Sequence, residues 1–211
     1  MVNTITLVRH GETNWNAAGR IQGFEDIGLN ETGLAQANML VPRLLKEPLE
    51  NVFCSDLQRT RQTVAPLLAQ RVLAVTYDSR LRERNFGRLQ GLTRVEIERD
   101  HPVEHAQMQR RDVAADFGGE SLEQFYRRCV EVFAELIERA DGQPALVVCH
   151  GGVLDCLYRH VTGQPLAAAR EVGLRNAAIN QIKVSATGKL DIALWDDVSH
   201  VVESKDETDK T

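Results

Sequence analysis

The sequence predicts an α/β fold, a three-layer α/β/α sandwich built on a mostly parallel sheet. Short apolar runs alternate along the chain with longer segments of helical periodicity, the pattern expected when helices cover a parallel sheet. The last two apolar runs are joined by a short turn at 186–189, which is typical of a hairpin. We therefore expect one antiparallel edge strand in an otherwise parallel sheet.

Six apolar runs are the predicted strands, and they lie at 4–8, 51–54, 72–77, 145–149, 178–184 and 190–195. The predicted helices lie at 32–45, 55–70, 92–109, 121–140 and 151–161. Thr32, Ser55 and Ser121 are the predicted N-caps, because a hydroxyl can accept from the free N–H groups of a first turn. Pro66 and Pro102 are expected to end or interrupt their helices, since proline has no N–H to donate.

The length of 211 residues favours a single domain, predicted at 1–198, with a lid-like helical segment at about 84–118. The polar stretch 199–211 is predicted to be a disordered tail. The net charge of −5 gives no basic face for nucleic acid or an anionic membrane, so neither is an expected partner. No apolar run approaches the ~20 residues of a spanning helix and no signal peptide is visible, so the expected location is cytoplasmic.

Cysteine and histidine spacing gives no sign of a metal centre. The four cysteines form no CxxC pair, and we expect all of them to be reduced and structural. His101 and His105 are four residues apart, but no third ligand accompanies them and Pro102 disturbs the helix. No metal is therefore expected.

Charged or nucleophilic residues follow four of the predicted strands. Since parallel strands end at the same edge of a sheet, these side chains are expected to converge where α/β proteins bind ligands. Each one alone is more often part of an ordinary turn or a solvated first helical turn. Together they suit chemistry on an anion, most simply a phosphoryl group. The converging residues are Arg9, His10, Arg59, Glu83 and His150.

An ordered set of motifs shows that the chain resembles the histidine phosphatase superfamily, in its phosphoglycerate-mutase-like branch. The motifs cover nearly the whole chain except the tail. They read LVRHGETNWN at 7–16, GRIQG at 19–23, LNETG at 29–33, SDLQRTRQT at 55–63, LRERNFG at 81–87 and VCHGG at 148–152.

The resemblance implies a role for each matching position. His10 matches the nucleophile that becomes phosphohistidine, and Glu83 matches the general acid and base. Arg9, Arg59 and His150 match residues that hold the phosphoryl group and complete the catalytic set. The implied phosphate-binding set is Arg9, His10, Asn16, Gln22, Gly23, Arg59, His150 and Gly151.

Elementary chemistry adds two conditions to these roles. His10 can be a nucleophile only if one ring nitrogen is free, so the other is expected to donate to a backbone carbonyl. Flanking cations should help to keep the ring neutral. Arg82 and Arg84, on either side of Glu83, are expected to face solvent or a second anionic group of the substrate.

The favoured function is a metal-independent phosphatase that hydrolyses small phosphomonoesters and needs no cofactor. The alternative is a phosphoglycerate mutase, which would use the same intermediate and 2,3-bisphosphoglycerate. The segment between Glu83 and Gly118 is short and has Arg110-Arg111 as its basic pair, which favours the phosphatase by analogy. A non-catalytic anion-binding protein is disfavoured because all five chemical residues are present. The expected partner is a small phosphorylated metabolite, and the resemblance also allows a homodimer.

Overall fold

A six-stranded sheet runs through the computed structural model, which describes residues 3–201. Its strand order is β3-β2-β4-β1-β5-β6. The strands are β1 (Asn3–Arg9), β2 (Asn51–Cys54), β3 (Val75–Tyr77), β4 (Ala145–Cys149), β5 (Ile179–Val184) and β6 (Leu190–Asp197).

Strand directions follow the predicted pattern. β1 pairs with β4 in parallel, and β2 pairs in parallel with both β4 and β3. The antiparallel pairs lie together at one edge, where β5 runs against β1 and β6 runs against β5. β5 is therefore the strand that runs antiparallel to the other five, and β6 lies next to it at the edge of the sheet.

Helices cover both faces of the sheet. On one face, α2 and α3 pack leucines and valines against Val8, Val52 and Val148. On the other, α6 and α7 pack against Leu7 and Val147. Neighbouring residues of one strand thus enter different cores, as strand alternation requires. The helices are α1 (Asn14–Ala17), α2 (Glu31–Leu44), α3 (Gln58–Leu68), α4 (Arg94–Asp100), α5 (Pro102–Gln109), α6 (Leu122–Ala140) and α7 (Gly151–Thr162).

Two predicted caps are wrong. The N-cap of α2 is Asn30, whose side chain accepts from the backbone N–H of Gly33, so Thr32 lies inside the helix. Ser55 is not a cap, because α3 begins at Gln58 after Leu57 and has no side-chain cap. The cap predicted at Ser121 is confirmed, since its hydroxyl accepts from the backbone N–H of Gln124.

The two prolines behave differently. Pro66 lies inside α3, which continues to Leu68. Pro102 separates α4 from α5 and takes the first position of α5, where its missing N–H costs little. The predicted helix at 92–109 is thus two helices. They form the lid-like segment with a small core of their own, made by Leu89, Ile97, Ala115 and Phe117.

All four cysteines are free and buried, in agreement with a structural role. Burial raises the pKa of the Cys54 thiol to about 12, which keeps it in the unreactive thiol form. Within residues 3–201 no helix is both long and apolar enough to cross a membrane. Most of the predicted tail, from residue 202 onward, lies outside the described residues.

The loop that follows β1 lies in direct backbone contact with the start of α2. An ideal Cβ on Gly33 would lie 2.0 Å from the carbonyl oxygen of Glu12, and one on Gly11 would lie 2.6 Å from the carbonyl oxygen of Gly33. The Glu12 N–H also donates to Gln36 Oε1 at 2.8 Å. This contact leaves no room for a side chain at either glycine and fixes the backbone beside His10.

Gly33→Ala is expected to lower the free energy of unfolding by about 2 kcal/mol, because a methyl group would push the backbone of Glu12 away. In an open helix position the same change would stabilise the fold by about 0.5–1 kcal/mol. Urea unfolding measures the difference. Asn38→Ala, at an exposed position of the same helix, is the control and should change stability by less than about 0.5 kcal/mol. A stabilised Gly33→Ala protein would contradict the close approach.

Candidate active site

The carboxyl ends of the parallel strands meet as the sequence predicts. In the sheet register Arg9 is the partner of Cys149, and Cys54 is the partner of Val148. The next residue along each strand is therefore brought to one edge: His10 after β1, Ser55 after β2 and His150 after β4. The His10 backbone N–H donates to the carbonyl of Cys149 at 3.1 Å, which links two of these ends directly.

His10 meets the geometric condition for a nucleophile. Its Nδ1 lies 2.7 Å from the carbonyl oxygen of Gly11, which can only accept, so Nδ1 carries the proton and Nε2 carries the lone pair. Burial, followed by the charges of Arg59 and Arg9, holds the pKa of His10 well below its ordinary value. The ring is therefore neutral at physiological pH.

Arg9 and Arg59 place two buried guanidinium groups beside His10. Arg9 donates to the carbonyl of Leu174 and lies against Gly151. Arg59 is fully buried, and its Nη atoms donate to the carbonyls of Gly23, at 2.8 Å, and Glu25, at 2.7 Å. Both guanidinium groups line the same cavity as His10.

His150 lies behind His10, with ring centroids 5.2 Å apart. Arg59 Nε donates to its Nδ1 at 3.2 Å, so the ring proton lies on Nε2, which is 2.9 Å from the hydroxyl oxygen of Ser55. The ring is fully buried, and this burial, together with Arg59 and His10, lowers the pKa of His150 well below its ordinary value. Both nitrogens of this second histidine are thus used within the protein: Nδ1 orients Arg59, and Nε2 is held by Ser55.

Glu83 reaches the cavity from the segment after β3. Its carboxylate accepts from two backbone N–H groups, those of Arg84 at 2.8 Å and Gly152 at 2.9 Å. Gly152 lies in the first turn of α7, where the helix dipole favours a negative charge. A Cβ on Gly152 would lie 2.1 Å from Glu83 Oε1, so only glycine allows this contact.

A cavity of about 860 Å³ opens between the sheet edge and the lid-like segment. Its wall contains more arginines than carboxylates, although the whole chain carries a net charge of −5. The positive potential is therefore local, as expected for an acidic protein with an anionic ligand. The charged lining residues are Arg9, Arg20, Arg59, Glu83, Arg84, Arg94, Arg111, Asp112, Asp155 and Arg170.

The expectation for the arginines beside Glu83 needs correction. Arg84 is buried rather than solvated, and it donates to the carbonyls of Glu120 and Ala115, both at 2.9 Å. Arg82 pairs with the carboxylate of Asp56 at 2.6 Å. Both arginines are thus held by groups of loop residues.

Comparison with known proteins decides the family. The model of the histidine phosphatase superfamily (branch 1) matches residues 5–198. The chain belongs to this superfamily. It is 38% identical over 206 residues to a metal-independent phosphoserine phosphatase of Arabidopsis thaliana. The alignment covers 95% of this chain and 84% of the relative.

Two further relatives support the assignment. The phosphoglycerate mutase-like protein 4 of Arabidopsis thaliana is 37% identical, over 95% of this chain and 87% of its own. The solved structure of YhfR from Bacillus stearothermophilus superimposes with a TM-score of 0.87 at 30% identity, covering 94% of this chain and 99% of that one. Relatives named as phosphatases and as mutases thus share the fold.

The remaining predicted site residues take different places. Asn16, Gln22 and Gly23 line the cavity. Gln22 is buried, and its Oε1 has no hydrogen-bond partner within residues 3–201. Gly151 is buried behind Arg9, and it is the next residue, Gly152, that lines the cavity.

Sequence reasoning missed three residues that shape the site. Ser55 holds His150, and Thr63 Oγ1 accepts from the Gly11 N–H at 3.0 Å. Asn176 donates from Nδ2 to the carbonyl of His10 at 3.0 Å. Ser55 and Thr63 lie inside a quoted motif, whereas no sequence signal pointed to Asn176. Among residues 3–201, no three His, Cys, Asp or Glu side chains are grouped as a metal would need.

The buried histidines predict a pH-dependent stability. Because the folded pKa of His10 and of His150 is lowered, the unfolded chain takes up protons below pH ~6.5 while the folded chain does not. The stabilisation that the neutral rings provide is fully present above that pH. As the pH falls toward the folded pKa values, the free energy of unfolding drops by about 1.4 kcal/mol per histidine for each pH unit. Urea unfolding between pH 7.5 and 5.5 measures this slope.

His10→Asn should reduce that slope without abolishing it, since His150 and His200, whose pKa values burial also lowers, still contribute. His160→Asn is the matched control, because that histidine is exposed, and it should leave the slope as it is. A slope that is unchanged in His10→Asn would mean that the folded and unfolded chains take up the His10 proton over the same pH range, which would contradict a lowered pKa.

Proposed function

We propose that the protein is a metal-independent phosphatase that hydrolyses small phosphomonoesters through a phosphohistidine at His10. The observation that carries the proposal is the hydrogen bond from His10 Nδ1 to the Gly11 carbonyl, which leaves Nε2 as a lone-pair nitrogen between two arginines. Glu83 shares the cavity and supplies the acid and base. The expected substrate is a small phosphorylated metabolite, and a homodimer stays a prediction.

In the first step His10 Nε2 attacks the phosphorus atom, and the bond from phosphorus to the ester oxygen breaks. The charge of the bound phosphate favours the protonated form of Glu83, which gives its proton to the leaving oxygen and becomes a carboxylate. Arg9 and Arg59 stabilise the charge spread over the phosphoryl oxygens. His150 acts through Arg59, because its Nδ1 accepts from Arg59 Nε.

In the second step a water molecule attacks the phosphohistidine, and the bond from phosphorus to Nε2 breaks. The Glu83 carboxylate takes the proton from that water and is ready for another cycle. Inorganic phosphate leaves, and His10 returns to its neutral form. Asn16 and Gln22 complete the phosphate pocket, because both line the cavity and a side-chain amide Nδ2 or Nε2 can donate to a phosphoryl oxygen.

The alternative is a phosphoglycerate mutase, and the names of some relatives support it. In that reaction the phosphohistidine would return its phosphoryl group to another hydroxyl of the bound product. The chemical residues are the same, so the two functions differ in how long the product stays in the cavity. The short lid-like segment, with two helices of seven and eight residues, favours release and therefore hydrolysis.

The test is incubation with 3-phosphoglycerate in EDTA, with and without 2,3-bisphosphoglycerate, beside a reaction with p-nitrophenyl phosphate. We expect release of inorganic phosphate without formation of 2-phosphoglycerate. Isomerisation that depends on the bisphosphate and outruns hydrolysis would identify a mutase. Loss of phosphate release in EDTA would contradict metal independence.

Substitutions assign the two chemical roles. His10→Ala should abolish phosphate release and the phosphohistidine, which mass spectrometry under non-acidic conditions detects. Glu83→Gln should slow hydrolysis of glycerol phosphate by roughly 100-fold or more, because its alkoxide leaving group needs a proton. Both losses are read as kcat/KM, which reports the first step alone, because the second step uses Glu83 as a base for either substrate. The kcat/KM for p-nitrophenyl phosphate should fall far less, since nitrophenolate leaves without a proton. Equal losses on the two substrates would exclude Glu83 as the acid.

A further inference from the structure

Glu83 lies in a segment with little secondary structure of its own. A single 3-10 turn, Ser79–Leu81, precedes it, and a second begins at Gly87. The carbonyl groups between these turns belong to residues that lie outside the helices and the sheet. Buried carbonyls need partners, so another part of the fold has to supply donors and fix the course of this segment.

The donor is Arg128, from the middle of α6. Its guanidinium donates to the carbonyls of Arg80 at 2.5 Å, Arg82 at 3.0 Å and Glu83 at 3.1 Å. One side chain thus holds three carbonyls of the segment, including that of Glu83. The exposed fraction of the Arg128 side chain is 18%, so solvent competes little for these bonds.

Glu120 fixes the guanidinium from the other side. Its two carboxylate oxygens accept from Arg128 Nε and Nη2, both at 2.7 Å, in a bidentate pair. The same carboxylate accepts from the backbone N–H of Asn85 at 2.8 Å. Arg128 and Glu120 together therefore hydrogen-bond the backbone before Glu83, at Glu83 itself and after it.

We propose that Arg128 and Glu120 are positioning residues for Glu83 and set its carboxyl group at proton-transfer distance from the leaving oxygen. Neither residue lines the cavity, so they act through the backbone of the segment 80–85. This inference rests on the proposed function, because it assigns to Glu83 the transfer of a proton to the leaving group. A displacement of about 1 Å at a reacting group can cost ~100-fold in rate.

The test compares glycerol phosphate with p-nitrophenyl phosphate in Arg128→Lys, which keeps the charge and loses the planar fork. We expect kcat/KM, which reports the first step alone, to fall by about 10-fold or more for glycerol phosphate and by less than about 3-fold for p-nitrophenyl phosphate. A role in overall stability alone would lower both rates together. The unequal loss is therefore the signature of a misplaced acid.

Two further variants keep the proposal falsifiable. Glu120→Gln preserves the shape of the side chain and weakens its pair with Arg128, and it should give the same unequal loss. Arg71→Lys is the matched control, since Arg71 donates to the carbonyls of Glu47 and Leu49 and is not part of the cavity wall. It should leave both rates unchanged. Equal losses on both substrates in Arg128→Lys and Glu120→Gln, or no loss in either, would overturn the proposal.

Glu83→Gln, measured in the same assay, separates this proposal from the proposed function. If Glu83→Gln shows the unequal loss and Arg128→Lys does not, the positioning role is wrong and Glu83 remains the acid. If Glu83→Gln lowers both rates equally, the acid role itself is wrong. The double variant should lose little more than Glu83→Gln alone, because a displaced glutamine has no proton transfer left to lose.

Discussion

The parallel pairing of β1 with β4 is the constraint on which the rest of the site depends. It places the backbone of His10 beside Cys149 and sets His150 directly behind the His10 ring. The β2 pairing then adds Ser55 and, in the first turn of α3, Arg59. A slip of one residue in either register would turn alternate side chains to the opposite face of the sheet. The two hydrophobic cores prevent such a slip, because Leu7 and Val8 are each fully buried on different faces.

Burial gives these residues their chemistry. Two imidazoles and two guanidinium groups lie within one small region, and the protein retains the guanidinium charges and keeps the imidazoles neutral. Carbonyl oxygens from loops make this possible, since Gly23, Glu25 and Leu174 accept from the buried arginines. A neutral nucleophile can then lie beside fixed positive charge, which is the arrangement that attack on a phosphoryl group requires.

The sequence predicted what depends on local pattern and on strand direction. The sheet, the meeting of strand ends and the Nδ1 bond of His10 followed from apolar runs and from the chemistry of a neutral imidazole. The partners of polar side chains did not follow, because they depend on distant backbone. Ser55 had the pattern of a helix cap and bonds His150 instead. Arg84 had the pattern of a solvated charge and is buried against carbonyls of residues 115 and 120.

The residues proposed for the chemical steps and the residues that would fit the rest of the substrate lie on different parts of the fold. The reacting groups stand on a sheet whose helices pack on both faces, and they are held by hydrogen bonds to fixed backbone. Part of the outer cavity wall belongs to α4 and α5, and their segment contacts the rest through Ile21, which packs on its small core, and through polar pairs such as Arg111 with Asp155 at 2.8 Å. Side chains of this segment can change without disturbing the nucleophile. One reaction centre can therefore serve both phosphatases and mutases, and we expect the residues that decide between them to belong to the lid-like segment rather than to the sheet.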